Sequence, residues 1–403
     1  MGFLNDRIAE ITGVSSEQGL YDVAYSTGFL NFDYINGYRL PTYDIGGNRM
    51  DIPLAGIIDG SYNLVIGRSG SGKTTFAVQA AANIIRQFKE ADMRIYSIEG
   101  GVTVPRLELL TGFIGQELFG RCAIKNSGIT TDSLGADIMY IHKEKTENKE
   151  KFQYDTGLTD SKGNPIIKYV PTVIVLDSIT SLAPKSVVDR EGLGGQMDAT
   201  AMAKANTSFL KRTIQLMKES NIILLAVSHI TTKIETNAFV HTKTDLKYLK
   251  QGESISGGKA VVYYANNIIR FDDGTLKEET FGFPGSIVKT SLGKSRSNKA
   301  GKDTPLIFSQ DFGFDPILSL AYMAKETGII NGKGAYNSID GYANKFTMKK
   351  FKDLWLEDPE FKIAFLKAVK PSLESLLAPT ATAAENVNTT VTQDLIDSFR
   401  NLL

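Results

Sequence analysis

The residues with the most specific chemistry in this 403-residue chain form a short glycine-rich stretch. Gly67, Arg68, Ser69, Gly70, Ser71, Gly72, Lys73, Thr74 and Thr75 match G-x-x-x-x-G-K-[ST], the Walker A pattern. Glycines at this spacing let the backbone wrap closely around an anion, so that successive N–H groups and a helix N-terminus face phosphate oxygens. Lys73 is placed to reach β- and γ-phosphates, and the Thr74 hydroxyl to ligate Mg²⁺. A glycine-rich turn can also join a strand to a helix without any ligand. The flanks decide against that reading: the apolar run 62–67 precedes the motif, and Phe76, Ala80, Ile84 and Phe88 follow at helical spacing. The stretch therefore predicts a site for a nucleoside triphosphate, ATP, with Mg²⁺.

Three further residues end apolar runs. Asp177 closes 172–176, the Walker B pattern, and a carboxylate at the end of a central parallel strand lies where it can hold Mg²⁺ through water. On its own such a residue is often a cap; paired with the glycine motif it reads as a metal-site residue. Glu99 ends the run 94–99, which is expected to neighbour the glycine-motif strand, and a carboxylate there could orient and activate an attacking water. Spacing alone leaves a surface glutamate equally open. His229 ends the run after Asp177, where a polar group could sense the γ-phosphate; a satisfied core histidine is the ordinary alternative.

The elements that must hold these groups follow from the apolar pattern. Runs at 62–67, 94–100, 137–143, 172–179 and 222–230 are continuous rather than alternating, as expected for strands covered on both faces. Helical patterns lie between them, at 74–89 and 199–220, and further strands are expected near 266–272, 286–292 and 306–311. The alternation predicts an α/β fold with a doubly wound, mainly parallel twisted sheet. Residues 143–171 form a polar interruption with a hairpin turn in the segment TDSKGNP, expected to be a solvated excursion.

Composition narrows the class. Formal net charge is zero, so any nucleic-acid surface must be a local basic patch. Cys122 is the only cysteine, which excludes an intrachain disulfide framework and suits a reducing compartment. No run of about eighteen apolar residues predicts a membrane span. The first residues lack a signal-peptide pattern. A cytoplasmic protein is expected.

The order of these features resembles the RecA recombinases, most closely their phage representatives of the UvsX type. It runs from the glycine motif through Glu99, Asp177–Ser178, a loop, a long helix, His229 and a second loop to Gly257–Gly258 before VVYYANNIIRFD. The resemblance covers most of about 43–330 and includes DSITSL at 177–182 and SLGKSRSNKAG at 291–301. It implies a RecA-like P-loop NTPase core and a DNA-dependent ATPase. Such a protein forms helical filaments on single-stranded DNA and pairs it with homologous duplex, assisted by a mediator or single-strand-binding protein; if phage-encoded, it works in the host cytoplasm. It implies that Glu99 activates water and that His229 stands where the family commonly has glutamine. Lys294 and Arg296 match the basic residues inserted into the ATP site of the adjacent protomer. DNA would be met by loops 184–198 and 231–257, with Lys243, Lys247, Lys250, Gly257 and Gly258, and by Lys204 and Lys211 on the helix between them. Lys233, Phe239 and Tyr248 also fall in the second loop.

The expected organisation is an N-terminal oligomerisation arm (1–42), a RecA-like ATPase core (43–315), a small C-terminal helical region (316–377), and a flexible linker with a short amphipathic tail (378–403). The arm's aromatic residues Phe29, Phe32, Tyr34 and Tyr38 could pack on their own core or dock onto a neighbouring subunit. The competing function is a hexameric helicase of the DnaB type on the same core. The Gly257–Gly258 segment, and a single ATPase core with no large N-terminal helical domain, favour the recombinase. Intact Lys73, Glu99 and Asp177 argue against a non-catalytic mediator.

Overall fold

The computed structural model describes residues 18–44, 46–190, 196–232, 246–272, 274–276, 285–309, 311–332 and 336–378. Its centre is an eleven-stranded sheet. In chain order the strands are β1 (Tyr62–Gly67), β2 (Asp92–Ser97), β3 (Cys122–Lys125), β4 (Thr172–Asp177), β5 (Ile222–Thr232), β6 (Glu253–Ile255), β7 (Asn267–Phe271), β8 (Thr275–Leu276), β9 (Ser286–Ser295), β10 (Asp303–Ser309) and β11 (Gly313–Asp315). Across the sheet they run β11-β10-β9-β7-β1-β5-β4-β2-β3, with β6 on β5 and β8 on β9. From β7 to β3 every pairing is parallel; the β9–β11 edge is antiparallel. This is the α/β fold with a mainly parallel sheet that the apolar runs predicted.

Burial explains why those runs are continuous. On one face Val65, Val173, Val175, Ile223, Leu225 and Val227 pack against helix α1 (Lys73–Arg86) through Phe76, Ala80 and Ile84. On the other, Leu64, Ile66, Ile174, Leu176, Leu224 and Ala226 pack against α3 (Thr131–Glu147) and α4 (Gln196–Ser220). Alternate side chains thus meet apolar layers on both sides, which removes the polar half of the strand period. The short helix α2 (Val104–Thr111) lies between β2 and β3 in the chain.

Two expectations are corrected. Residues 137–143 are not a strand but part of α3. Leu134, Ile138 and Ile141 form its buried face, while Met139 and Tyr140 are apolar residues left exposed, so the run looked continuous. Thr130 and Ser133 close a capping box at its start. Strand β2, which leads to Glu99, neighbours β4 rather than β1, because β5 and β4 intervene.

The polar interruption begins as the last turn of α3 and contains a hairpin, Gln153–Thr159 paired with Pro165–Tyr169, whose turn is held by Asp160, which accepts from the Lys162 and Asn164 amides. Most of its side chains are exposed or half-buried, as expected of a solvated excursion, but one side is docked. Ile166 is fully buried with Tyr21, Leu40 and Leu54, and Thr159 donates to the Tyr43 carbonyl of a second hairpin, Tyr38–Tyr43 with Arg49–Leu54. Of the aromatic stretch, Phe29 and Phe32 belong to the chain's own core, each with its ring about one ring-width from Phe76. The C-terminal helices α6 (Pro316–Glu326), α7 (Phe351–Glu357) and α8 (Pro359–Ser375) enclose a separate cluster around Phe346, Phe351, Phe361 and Phe365. Residues 1–17 and 379–403, which include the predicted tail, lie outside the described residues.

A lysine closes the bottom of α3. Lys145 Nζ donates to the carbonyls of Val170 at 2.7 Å, Ser220 at 3.1 Å and Asn221 at 3.4 Å, joining the hairpin to the end of α4. Burial is the main cause that lowers its pKa to about 7. A lysine depressed in the fold binds fewer protons there than in the unfolded chain between that value and its ordinary range, so its contribution makes stability rise with pH over that window. Denaturant unfolding from pH 7 to 9 should show this rise, and Lys145→Met should flatten it.

Candidate functional site

Parallel register brings the chemistry to one rim. Gly67 at the end of β1 lies opposite His229 of β5 and Phe271 of β7, and Asp177 at the end of β4 lies opposite Val227 and Ser97. Ligands of open α/β sheets bind at this carboxyl edge.

The glycine motif fits an anion by its backbone. Gly70 and Gly72 have φ of 77° and 87°, the left-handed region that side chains avoid. A Cβ on Gly67 would stand 2.6 Å from the Phe271 carbonyl, and one on Gly72 would stand 2.7 Å from the Phe314 ring. Lys73 opens α1, and its Nζ donates to the Arg68 carbonyl at 2.6 Å, across the mouth of the loop. The Ser71 hydroxyl is buried with no hydrogen-bond partner among the described residues. Ser69 and Thr75 flank this turn within the same stretch.

Thr74 Oγ1 donates to Asp177 Oδ2 at 2.8 Å. Burial pushes the Asp177 carboxyl up, the Glu99 charge adds to the rise, and the Thr74 hydrogen bond opposes it. A hydroxyl and a carboxylate side by side are the hard oxygen donors that Mg²⁺ takes, one or two at a time, alongside substrate phosphates. No cluster of three His, Cys, Asp or Glu residues suited to a metal occurs among the described residues. Thr74 and Asp177 thus fit a shared Mg²⁺ site and not a cage.

Glu99 stands on the turn after β2, where its amide and that of Ile98 reach the Asp177 carbonyl. Its carboxylate touches His229 Nε2 at 3.1 and 3.2 Å, Ser178 Oγ at 2.5 Å and Ser181 Oγ at 3.2 Å. Burial would raise its pKa, but the Ser178 and His229 contacts outweigh that and hold it below the usual range. Glu99, Asp177 and His229 are therefore brought together beside Lys73 and Thr74, although β2 is not next to β1. Ser178 and Ser181 were missed as individual residues; the hydroxyl-rich stretch directly after Asp177 was the available signal.

Lys294 and Arg296 lie elsewhere. Lys294 pairs with Ile268, three residues before Phe271, and Arg296 follows Ser295, which pairs with Asn267. At roughly 3.3 Å per residue, they sit about 10–16 Å down the sheet from the Gly67 row. Both donate to the Tyr263 carbonyl at the end of α5 (Lys259–Tyr264). Burial, then the Arg296 charge, lowers the Lys294 pKa.

On α4, Lys204 and Lys211 are exposed, two turns apart. Gly257 and Gly258 lie against this helix: Asn206 Nδ2 donates to the Gly257 carbonyl, and a Cβ on Gly258 would stand 3.0 Å from Ala203. Lys247 is exposed, whereas Lys250 pairs with Asp272 at 3.1 Å. Lys243, with Lys233 and Phe239, falls outside the described residues. Tyr248 is turned inward, its ring against Gly293.

The stem of the second loop is held by charge. Glu253 on β6 accepts from Arg270 at 2.6 and 3.1 Å, and Arg270 also reaches Asp272 and the Tyr248 carbonyl. Both members of the Glu253–Arg270 pair are nearly buried, at 2% and 6% side-chain exposure. Removing one partner of such a pair strands the other's charge.

No family model matches the chain. It is 23% identical over 356 residues to the RecA protein of Trichormus variabilis, covering 86% of this chain and 84% of that one. Against the RecA protein of a Nostoc species it is 24% identical over 311 residues, covering 75% and 72%. The chain is similar to RecA proteins over most of its length. For RecA of Cytophaga hutchinsonii the match is 21% over 218 residues, or 53% of this chain. The α/β architecture with its mainly parallel sheet is consistent with a RecA-like core. No described helix is long and apolar enough to cross a membrane.

Arg270→Ala should destabilise the fold by about 3–5 kcal/mol. Lys250→Ala breaks a pair whose lysine is 66% exposed and should cost at most about 1 kcal/mol. Urea denaturation of both variants checks the contrast.

Proposed function

We propose that this protein is an ATP-dependent DNA recombinase, which forms filaments on single-stranded DNA and catalyses homologous pairing and strand exchange. The observation that carries the reading is the meeting of Thr74, Asp177, Glu99 and His229 beside the glycine motif, in a chain similar to RecA proteins along most of its length.

The roles follow from chemistry. Amides of the glycine motif bind the phosphates, and Lys73 turns from the Arg68 carbonyl to the β- and γ-phosphates. Thr74 and Asp177 would hold Mg²⁺, which would supply positive charge against the phosphate oxygens. Glu99, kept ionised by its neighbours, takes a proton from the attacking water. His229 touches Glu99 and begins the last stretch of β5 before the second loop, so it can pass the state of the γ-phosphate to that loop. Lys204, Lys211, Lys243, Lys247 and Lys250 offer charge to DNA phosphates, and backbone at Gly257 and Gly258 lets a strand approach.

Lys294 and Arg296 act across an interface. Their separation from the Gly67 row, with both side chains bonded to the Tyr263 carbonyl, supports this; supplied by a neighbour, they would stabilise transition-state charge as an arginine finger does. An isolated protomer would then hydrolyse slowly, and assembly on DNA would complete the site.

Electron microscopy with single-stranded DNA and a non-hydrolysable ATP analogue should show helical filaments; closed six-membered rings would refute the recombinase reading. Lys73→Ala should abolish tight ATP binding, whereas Glu99→Gln should keep ATP and DNA binding and lower turnover by at least about 100-fold. Mixing Glu99→Gln with a Lys294→Ala/Arg296→Ala variant should restore part of the DNA-dependent ATPase, because some junctions pair two intact faces. Absence of rescue would place the basic pair in cis.

A further inference from the structure

We infer that Thr180 and Ser178 form a hydroxyl relay that positions Glu99 and leaves only its Oε2 atom to take the proton from water. The inference rests on the reading of Glu99 as the base and deepens it by assigning positioning residues and one reacting oxygen.

Hydrogen counting gives the direction of the relay. Ser178 Oγ lies 2.5 Å from Glu99 Oε1, 2.6 Å from Thr180 Oγ1 and 3.1 Å from Ser181 Oγ. An ionised carboxylate has no hydrogen to give, so the single Ser178 hydrogen goes to Glu99. The Thr180 hydroxyl must then donate to Ser178, which polarises the Ser178 O–H and strengthens its bond to the carboxylate. Ser181 can add a second donor to the same Oε1 atom at 3.2 Å.

The two oxygens of Glu99 are therefore unequal. Oε1 is approached by Ser178, Ser181 and His229, and Oε2 by His229 alone among these contacts. An oxygen already accepting two hydroxyl hydrogens is a poor base, so the proton goes to Oε2. The balanced step transfers a water proton to Oε2 while the water oxygen forms a bond to the γ-phosphorus. The bond from that phosphorus to the bridging oxygen breaks, and its electron pair stays on the β-phosphate as ADP leaves.

Position makes the relay more than a local tie. Ser178 is fully buried, directly follows Asp177, and is anchored by the Ile179 amide on the Val227 carbonyl. One turn thus sets both Asp177 against Thr74 and Ser178 against Glu99, so the base is held in register with the phosphate site. A misplacement of about 1 Å at such a site can cost on the order of 100-fold in rate.

The test is a set of ATPase assays on the full-length protein with single-stranded DNA. Ser178→Ala and Thr180→Val should each lower kcat by about 10–100-fold, with KM for ATP changed less than about threefold. Thr180→Ser, which keeps the hydroxyl, should recover most of what Thr180→Val loses. In the Glu99→Gln background, Ser178→Ala should lower kcat no further, because the relay acts only through the carboxylate. If Ser178→Ala lowers turnover equally in that background, or chiefly raises KM, the hydroxyls are structural and the inference falls. If Glu99→Gln is inactive while Ser178→Ala and Thr180→Val turn over normally, the base assignment stands and only the relay is overturned. If Glu99→Gln itself turns over normally, the base lies elsewhere and both readings fail.

Discussion

The hydrogen-bonded register of β1, β5 and β4 governs the chemistry at the rim. These strands are parallel, so their carboxyl ends finish together, and Gly67, His229 and Asp177 come to one edge without any residue reaching far. Parallel pairing in turn requires helices on both faces and an apolar layer on each. Phe76 on α1 meets that need on one side, and Leu134, Ile138 and Phe209 on the other. A shift of one residue in register would turn each strand's side chains to the opposite layer, which the two cores forbid.

Within this frame the two carboxylates at the rim are treated oppositely. Asp177 is buried and close to the Glu99 charge, so its ionised form is held at a cost that a nearby cation would relieve. Glu99 is more open and surrounded by donors, so its ionised form is favoured. The same turn supplies both environments, because Asp177 faces the Thr74 hydroxyl and Ser178 faces Glu99. In the function proposed above, these local contacts would sort two carboxylates into a metal-holding and a proton-accepting role.

The second loop enters and leaves the core under different constraints. It departs from β5 just past His229, and its return is clamped by the buried Glu253–Arg270 pair and by Gly257 and Gly258 against α4. Arg68 of the glycine motif also lies 3.9 Å from Glu253. The glycine motif and the loop stem thus share one polar patch.

Much of this was legible in the linear chain. Continuous apolar runs marked β1, β4 and β5 because strands buried on both faces have no polar half-period, and the glycine spacing marked the phosphate loop because the left-handed backbone at Gly70 and Gly72 admits little else. Other features depended on which apolar residues find a partner. Residues 137–143 read as a strand until packing left Met139 and Tyr140 in solvent, and Phe29 and Phe32 could have served a neighbour until Phe76 covered them. The neighbour of β2, the inward turn of Tyr248 and the grip of Ser178 on Glu99 were beyond the sequence for one reason. Strand order and side-chain contacts join residues far apart in the chain, and no local pattern encodes which distant partner wins. Local periodicity and turn chemistry determined the elements and the phosphate loop; tertiary packing alone decided that Glu99, two strands removed from its expected place, still meets Asp177 and His229 at one rim.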